Sequence, residues 1–252
     1  MSLLPPLLLT SCISVSAKNT KIIDHNLRID LTIKAIEKWL RISMDIKIVI
    51  CDGSNYDFTP LIYDLFPNNR IECLCFNNNR RAVALYGKGY GEGEIINYAL
   101  ERSKYLKESV FFAKCTSKLW VNNYFDCLHY WNGTFLCDCD FSYLKKMKLV
   151  TFKSVDTAFY FVNKNFYINN FSYAYLYVRE KQRHWLEHCF RDIIVTNNIK
   201  YFMFPIAPIV LGVSGTRGSG NSYSLTNKAN DTLKRFILRN NKSYVDFIAT
   251  KR

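Results

Sequence analysis

The regular alternation of short apolar runs with amphipathic stretches in the first half of the chain most constrains its fold. The apolar runs end in polar residues, as buried strands do, whereas the stretches between them place apolar residues at helical spacing. Strands are predicted at 7–16, 45–55, 70–77 and 110–121, and helices at 27–41 and 94–106. This order predicts an α/β fold, a Rossmann-like and mostly parallel sheet flanked by helices.

Polar side chains lie where the predicted strands end. The first strand ends at Thr10 and Ser11, and the second ends at Asp52 and Ser54. Ligands of parallel sheets bind beyond the carboxyl ends of the strands, so we expect a binding site there. A carboxylate in the position of Asp52 suits a nucleotide base or ribose, with an ordinary strand-to-turn aspartate as the alternative.

Two lysines flank hydroxyl groups within the fourth apolar run. The charges of Lys114 and Lys118, beside Thr116, would be costly in an apolar strand unless they reach a binding site. We therefore expect all three residues to contact an anionic ligand. A solvated sheet edge is the alternative.

The glycine-rich segment 87–94 opens the second predicted helix. Glycines allow backbone N–H groups to approach a phosphate, and a helix N-terminus favours an anion. The segment matches neither a P-loop nor a dinucleotide-binding fingerprint, and a helix cap without a ligand is the alternative. The residues predicted to bind the ligand here are Gly87, Lys88, Gly89 and Glu92.

The second half of the chain is less regular. Residues 149–167 indicate one or two aromatic strands, and residues 171–195 indicate a helix with a break near 180–184. A Pro/Gly/Ser-rich loop at 204–223 is long enough to be functional, and we expect it to close over ligand phosphates. A surface loop is the alternative. The loop residues concerned are Ser214, Gly215 and Arg217.

Seven segments, in their order along the chain, resemble those of GT-A glycosyltransferases, and more narrowly those of bacterial polysaccharide and O-antigen glycosyltransferases. They are LLTSCISVS, VICDGSNYDF, GKGYGEGEIINYAL, FFAKCTSKL, VDTAFYFV, WLEHCF and GVSGTRGSGNSY, and they cover the chain from about Leu7 to Tyr223. The chain departs from the family at 114–118, where Lys-Cys-Thr-Ser-Lys replaces Lys-x-Thr-Gly-Arg.

The resemblance implies a catalytic domain at 1–224, with a donor half at about 1–125 and an acceptor half at about 126–224. A basic helical tail follows at 225–252. The implied reaction moves a sugar from a nucleotide-diphosphate sugar, first of all a UDP-sugar, to a hydroxyl group. The implied acceptor is a surface polysaccharide (capsule or O-antigen), a lipooligosaccharide or another lipid-linked glycan, and inversion is favoured over retention.

Metal use stays open at this point. Typical GT-A enzymes end the corresponding strand in Asp-x-Asp, which holds a divalent cation on the donor diphosphate. Lys114 takes roughly that place here, and a protein cation could neutralise the leaving diphosphate instead. A literal Asp-x-Asp follows one element later, at Asp138 and Asp140, and would suit Mg²⁺ or Mn²⁺.

The resemblance also indicates the general base that takes the proton of the acceptor hydroxyl. An acid near the start of a late helix has this role in inverting enzymes, which favours Glu187 first and Asp156 second. An ordinary helical ion pair is the alternative for Glu187. His184 and His188 complete an H-x-x-E-H pattern around it, so a zinc protease is a minor rival.

The net charge of +13 favours polyanionic partners: nucleotide diphosphates, nucleic acid or an anionic membrane surface. A basic nucleic-acid-binding protein without catalysis is the main rival function. Since the basic residues are dispersed and no helix-turn-helix, RRM or KH signature is present, we expect no nucleic-acid partner.

The tail mixes basic and apolar residues, which suits either a packed helix or a peripheral position on the inner face of the plasma membrane. Nine cysteines without a CxxC pair fit a reducing cytoplasm.

Overall fold

The first half of the chain alternates strands and helices as the sequence predicts. A computed structural model describes residues 4–17, 20–67, 70–144, 149–215, 218, 220–221 and 225–249, with the backbone alone at 144, 149, 221 and 225–228. The elements are β1 Leu7–Ser11, α1 His25–Ile42, β2 Ile48–Asp52, α2 Thr59–Leu65, β3 Ile71–Cys75, α3 Arg80–Tyr86, α4 Lys88–Arg102, α5 Lys104–Glu108, β4 Phe111–Thr116, β5 Leu119–Val121 and α6 Tyr124–Leu128. The predicted fourth strand is thus divided into β4 and β5.

The second half completes the fold with antiparallel strands and three further helices. The elements are β6 Phe135–Leu144, β7 Leu149–Asn163, α7 Lys164–Asn170, α8 Leu186–Thr196, β8 Val210–Val213, β9 Gly220–Asn221 and α9 Leu225–Arg239, with 3₁₀ turns at Ala174–Tyr177, Glu180–Gln182 and Val245–Phe247. The break predicted near 180–184 is confirmed, since Arg183 has a left-handed backbone (φ 58°). The prediction of one continuous loop at 204–223 is wrong, because the apolar residues 210–213 pair with β5.

A six-stranded sheet with the order β3-β2-β1-β4-β7-β6 forms the centre of the protein. β1 to β4 run parallel, whereas β7 is antiparallel to β4 and to β6. The predicted fold class, a mostly parallel sheet flanked by helices, is confirmed. Since β7 pairs directly with β4, the two predicted halves on either side of residue 125 share one sheet.

Each face of the sheet is covered by helices that bury an apolar stripe. Trp39 and Ile36 of α1 pack with Leu9 on one face. Ile96 of α4 and Phe190 of α8 pack on the other face. The carboxyl ends of β1 and β4 therefore open between α1 on one side and α4 with α8 on the other.

The glycine-rich segment lies inside α4, and the prediction that its glycines precede the helix is wrong. α4 begins at Lys88, and Gly89, Gly91 and Gly93 are buried in it. A methyl group added at Gly93 would overlap the side chain of Tyr175, and one at Gly89 would lie 2.9 Å from Cβ of Leu186. The glycines therefore allow the 3₁₀ turn at 174–177 and the start of α8 to approach α4 closely.

The C-terminal segment is helical, as predicted, and its inner side packs against the rest of the fold. Met203 forms isolated bridges with Cys137 of β6 and with Ile248. The Ala249 N–H donates to the Met203 carbonyl at 2.9 Å, and Leu238 of α9 is fully buried. Within the described residues, no helix combines the length and the apolar character needed to span a membrane.

Candidate functional site

Two buried cations lie beyond the carboxyl ends of β1 and β4. Arg28 is 6% exposed and Lys118 is 3% exposed. α1 places Arg28 there because its buried stripe contains Arg28 one turn before Thr32, ahead of the apolar residues that cover the sheet. Lys118 follows directly where β4 separates from β5. Neither cation forms an ion pair with a carboxylate of the described residues, which is rare for buried charges.

Arg28 is held by backbone carbonyls. Its Nε donates to the Cys12 carbonyl and its Nη1 donates to the Ile22 carbonyl, both at 2.8 Å. Burial lowers the pKa of Arg28, and the nearby Cys12 and Asp52 oppose that shift. Its second terminal nitrogen, Nη2, has no hydrogen-bond partner among the described residues, so it remains available to a ligand.

Lys118 has a single weak partner. Its ammonium donates to the Ser117 hydroxyl at 3.4 Å, the only hydrogen bond it makes within the described part of the chain. Burial, and then the positive charge of Arg28, lowers the pKa of Lys118 to about 7. A buried ammonium without an anionic partner is unfavourable, and a bound anion would relieve that cost.

The loop after β8 lies directly over the two cations. The Val213 N–H donates to the Lys118 carbonyl at 3.2 Å, which fixes the start of the loop. A methyl group added at Gly215 would lie 3.2 Å from both Nη1 of Arg28 and Cε of Lys118. Ser214 and Gly215, both predicted as site residues, are therefore close to Lys118, whereas Arg217 lies outside the described residues.

A buried hydroxyl belongs to the same region, the surroundings of Arg28 and Lys118 beyond the ends of β1 and β4, which we call the Arg28 corner. Ser11 is the last residue of β1, and its Oγ has no hydrogen-bond partner among the described residues. Along β1 it follows Leu7 and Leu9, which pack on the face that α1 covers, so it shares the face from which Arg28 projects. Thr10 is also buried, and its carbonyl accepts from the Ser117 N–H at 3.0 Å.

Asp52 has a structural role, because its carboxylate is hydrogen-bonded within the protein and is not open to a ligand. Its Oδ2 accepts from the Ile13 N–H at 3.0 Å, and its Oδ1 accepts from the Ser54 N–H, the Ser54 hydroxyl and the Tyr56 N–H at 2.7, 2.6 and 3.1 Å. The Ser54 hydroxyl in turn accepts from Ile13 and Ser14. Both oxygens of this fully buried carboxylate are thus engaged in joining the loops after β1 and β2.

Lys114 contacts α4 instead of the Arg28 corner. Its fully buried ammonium forms an ion pair with Glu92 and donates to the Thr157 carbonyl at 2.7 Å. Its distance to the Thr116 hydroxyl is 3.5 Å. The two predicted lysines therefore lie on opposite sides of β4. A spacing of four would place them on one face of a continuous strand, but β4 ends at Thr116 and the chain turns at 117–118, which directs Lys118 towards Arg28 instead.

Two further carboxylates, Glu187 and Asp156, lie near this ion pair. Burial raises the pKa of Glu187, and the charges of Glu92 and Asp156 raise it further, against Lys88. Burial also raises the pKa of the Asp156 carboxyl, although the residue as a whole is exposed to solvent. The structure therefore brings both predicted general bases into one electrostatic neighbourhood with Glu92.

The N-terminus of α4, where a phosphate was predicted, is capped by a carboxylate. The Gly89 N–H donates to Oε1 of Glu180 at 3.1 Å. A side chain at Gly87, whose φ is 120°, would overlap Glu180. Glu180 thus already supplies the negative charge that this helix end favours, and Lys88 lies near Glu187 rather than in the Arg28 corner.

The predicted metal ligands do not form a metal site. Oδ1 of Asp138 accepts from Nη2 of Arg235 at 2.9 Å and lies 3.6 Å from Nζ of Lys234. Asp140 is exposed beside a β-bulge of β6. No three His, Cys, Asp or Glu side chains of the described residues group closely enough to hold a metal ion. Nε2 of His184, the first histidine of the H-x-x-E-H pattern, lies 3.4 Å from a carboxylate oxygen of Asp192.

Arg28 and Glu180 are the site residues that the sequence predictions missed. A cation on the apolar stripe of α1, at i and i+4 with Thr32, was a readable signal for Arg28. The sequence offered no comparable signal for Glu180, because its contact with Gly89 spans 91 residues.

No protein-family model matches the chain, and no curated protein has significant sequence similarity to it. Among solved structures, HddC from Yersinia pseudotuberculosis is similar with 9% identity and a TM-score of 0.42, over 64% of this chain and 78% of that one. The bifunctional glycosyltransferase WbbM is similar with 10% identity and a TM-score of 0.40, over 77% of this chain but only 37% of that one. The 4-diphosphocytidyl-2C-methyl-D-erythritol synthase from Anaerococcus prevotii has 10% identity and a TM-score of 0.43, over 91% and 98%. Likenesses this distant say nothing about a ligand, so the function rests on the residues of this chain.

Proposed function

We propose that the chain is a glycosyltransferase that uses a nucleotide-diphosphate sugar, with a UDP-sugar as the first candidate. The observation that carries the proposal is the pair Arg28 and Lys118, two buried cations without a carboxylate partner at the carboxyl ends of parallel strands. A diphosphate has the charge and the oxygen atoms that such a pair requires. The adjoining Ser11 hydroxyl and the loop at Gly215 supply further polar contacts.

The carboxylates on the other side of β4 fit the second half of the reaction. Glu187, with Asp156 as the alternative, accepts the proton of an acceptor hydroxyl whose oxygen attacks C1 of the donor sugar. The bond from C1 to the diphosphate oxygen breaks, and the nucleoside diphosphate leaves with the electron pair. Arg28 and Lys118 stabilise the negative charge of the leaving group, and attack opposite to it inverts the anomeric centre.

The proposed acceptor is a hydroxyl group of a surface polysaccharide or a lipid-linked glycan, reached from the cytoplasmic face of the membrane. Leu233 and Phe236 of α9 are 56% and 64% exposed, and Arg239 beside them is also exposed. Such a surface suits shallow contact with an anionic leaflet. Lys234 and Arg235 are turned to Asp138, so they do not contribute to it.

The charge distribution weakens the rival proposal of a nucleic-acid-binding protein. The cations Arg28, Lys114, Lys118 and Arg235 are all buried, so the formal charge of +13 overstates what a polyanionic backbone could contact.

Thermal unfolding with UDP-glucose, UDP-N-acetylglucosamine, GDP-mannose and a single-stranded oligonucleotide tests the proposal. A nucleotide sugar is expected to raise the Tm, because a ligand that binds only the native state stabilises it. Arg28→Met should abolish the rise, whereas Lys34→Met, at an exposed position of the same helix, should not. Stabilisation by the oligonucleotide alone would support a nucleic-acid-binding protein and contradict the proposed glycosyltransferase.

A further inference from the structure

Among the residues that the structure describes, no group of carboxylates, histidines or cysteines fits a divalent cation on the donor diphosphate. The nearest Asp-x-Asp is occupied on its first carboxylate by Arg235 and Lys234, whose charges would repel a metal ion. The positive charge for a diphosphate must therefore come from another source, and the structure offers one at the carboxyl ends of β1 and β4.

Building on the proposed function, we propose that Arg28 and Lys118 replace the metal: the donor diphosphate binds to this pair without a divalent cation, and Lys118 takes up a proton as it binds. Both side chains are almost fully buried and neither has a carboxylate partner among the described residues. The backbone at Gly215 lies against both side chains. An anion in this corner is therefore shielded from water, where its attraction to the two cations is strong.

The proton uptake follows from the groups that face the Lys118 ammonium. Arg28 of α1 disfavours its charged form, whereas Cys12 after β1, Asp52 of β2 and Glu92 of α4 favour it. The two carboxylates are engaged elsewhere, Asp52 by four donors and Glu92 by Lys114. Burial and the charge of Arg28 therefore have the largest effect on the pKa of Lys118, and without a bound anion its side chain is a largely neutral amine at pH 8.

A bound diphosphate reverses this balance. Its negative charge favours the ammonium and raises the pKa of Lys118, so an amine that is neutral in the empty site gains a proton from solvent. The uptake should be on the order of one proton for each donor bound at pH 8, and it should vanish below about pH 6, where the empty site is already charged.

Calorimetric titration of the full chain with UDP-glucose, UDP-N-acetylglucosamine and GDP-mannose tests the inference. These donors have no phosphate group that titrates near pH 8, so the dependence of the binding enthalpy on the ionisation enthalpy of the buffer counts the protons taken up by the protein. The titrations are run with EDTA, and again with Mg²⁺ or Mn²⁺. We expect metal-free binding with proton uptake, at least tenfold weaker binding and no uptake in Lys118→Met, and unchanged values in Lys34→Met.

The outcomes separate this inference from the proposed function. Binding of a nucleotide sugar only with Mg²⁺ or Mn²⁺, or metal-free binding that Lys118→Met leaves unchanged, overturns the inference and leaves the proposed function standing. Metal-free binding without proton uptake overturns the proposal that Lys118 gains a proton when the donor binds. Stabilisation by inorganic pyrophosphate with EDTA, but by no nucleotide sugar, overturns the proposed function and keeps the anion site. Failure of every ligand overturns both.

Discussion

The ammonium of Lys114, on β4, forms an ion pair with the carboxylate of Glu92, on α4, and the charge of Glu92 raises the pKa of Glu187. The pair joins the sheet to the helix, and the Thr157 carbonyl of β7 accepts from the same ammonium. Glu92 is thereby kept as a fixed negative charge next to the proposed base. The stability of the fold and the charge beside the proposed base consequently depend on the same contact.

Removing one partner of this pair should destabilise the fold strongly. Lys114→Met leaves Glu92 without its cation, and a broken buried pair typically costs about 3–5 kcal/mol in the free energy of unfolding. The double variant with Glu92→Gln should recover part of that loss, because no uncompensated charge remains. Urea unfolding of the single and double variants measures the coupling, and additive effects would show that the pair contributes nothing.

Lys118→Met should make the empty protein more stable. A Lys with a folded-state pKa of about 7 loses its proton in the native state, which costs on the order of 2–4 kcal/mol at pH 8 and less as the pH rises towards the ordinary Lys pKa. Methionine removes this cost at a similar volume. Urea unfolding at pH 8 and pH 10 should show a gain that shrinks at the higher pH, with Lys34→Met as the neutral control.

Glu187→Gln should keep donor binding and slow sugar transfer by about 10²–10⁴-fold, the usual effect of a positioned general base. Because the pKa of Glu187 is raised, kcat of the wild type should fall on acidification at a higher pH than it would with an ordinary glutamate, as the base becomes protonated. Release of nucleoside diphosphate at saturating donor is the measurement. A Glu187→Gln variant of normal rate, beside a slow Asp156→Asn, would assign the proton transfer to Asp156.

Gly93→Ala should destabilise the protein by about 1–3 kcal/mol, as overpacking of a tight contact does. The added methyl group would meet Tyr175, and the 3₁₀ turn at 174–177 would have to move away from α4. Gly220→Ala is the control, since among the described residues its methyl group would have only the Gly212 carbonyl oxygen within 4.0 Å. Thermal unfolding compares the two, and equal Tm values would contradict the packing role of the helical glycines.

The C-terminal segment should combine a structural inner side with a membrane-facing outer side. Truncation after Tyr223 should unfold the protein, because Leu238, Ile248 and Ala249 are buried. The double variant Leu233→Ser/Phe236→Ser should keep the Tm and lose sedimentation with anionic liposomes. Val245→Ser, at a 43% exposed position beyond α9, serves as the control. Undiminished sedimentation of the double variant would remove the proposed membrane contact.

The parallel sheet could be predicted from the sequence because each strand is a local apolar run that ends in polar residues, as Leu7–Ser11 and Ile48–Asp52 do. Lys118 was identified on the same principle, as a charge where an apolar run ends. The roles of Asp52 and of the glycines in α4 could not be predicted in this way. Their partners, Ile13 and Tyr175, lie 39 and 82 positions away, and contacts over such separations exist only in the folded chain.

The bridge from Cys137 through Met203 to Ile248 has a consequence for the synthesis of the protein. β6 is one of the two outer strands of the sheet; its border is covered at Cys137 by Met203, and the far side of Met203 is covered in turn by Ile248. A nascent chain that has left the ribosome only as far as α9 still exposes part of this border, and an exposed strand edge recruits strands from other chains. A premature stop codon between residues 240 and 245 should therefore yield an aggregating product rather than a slightly shortened, folded protein.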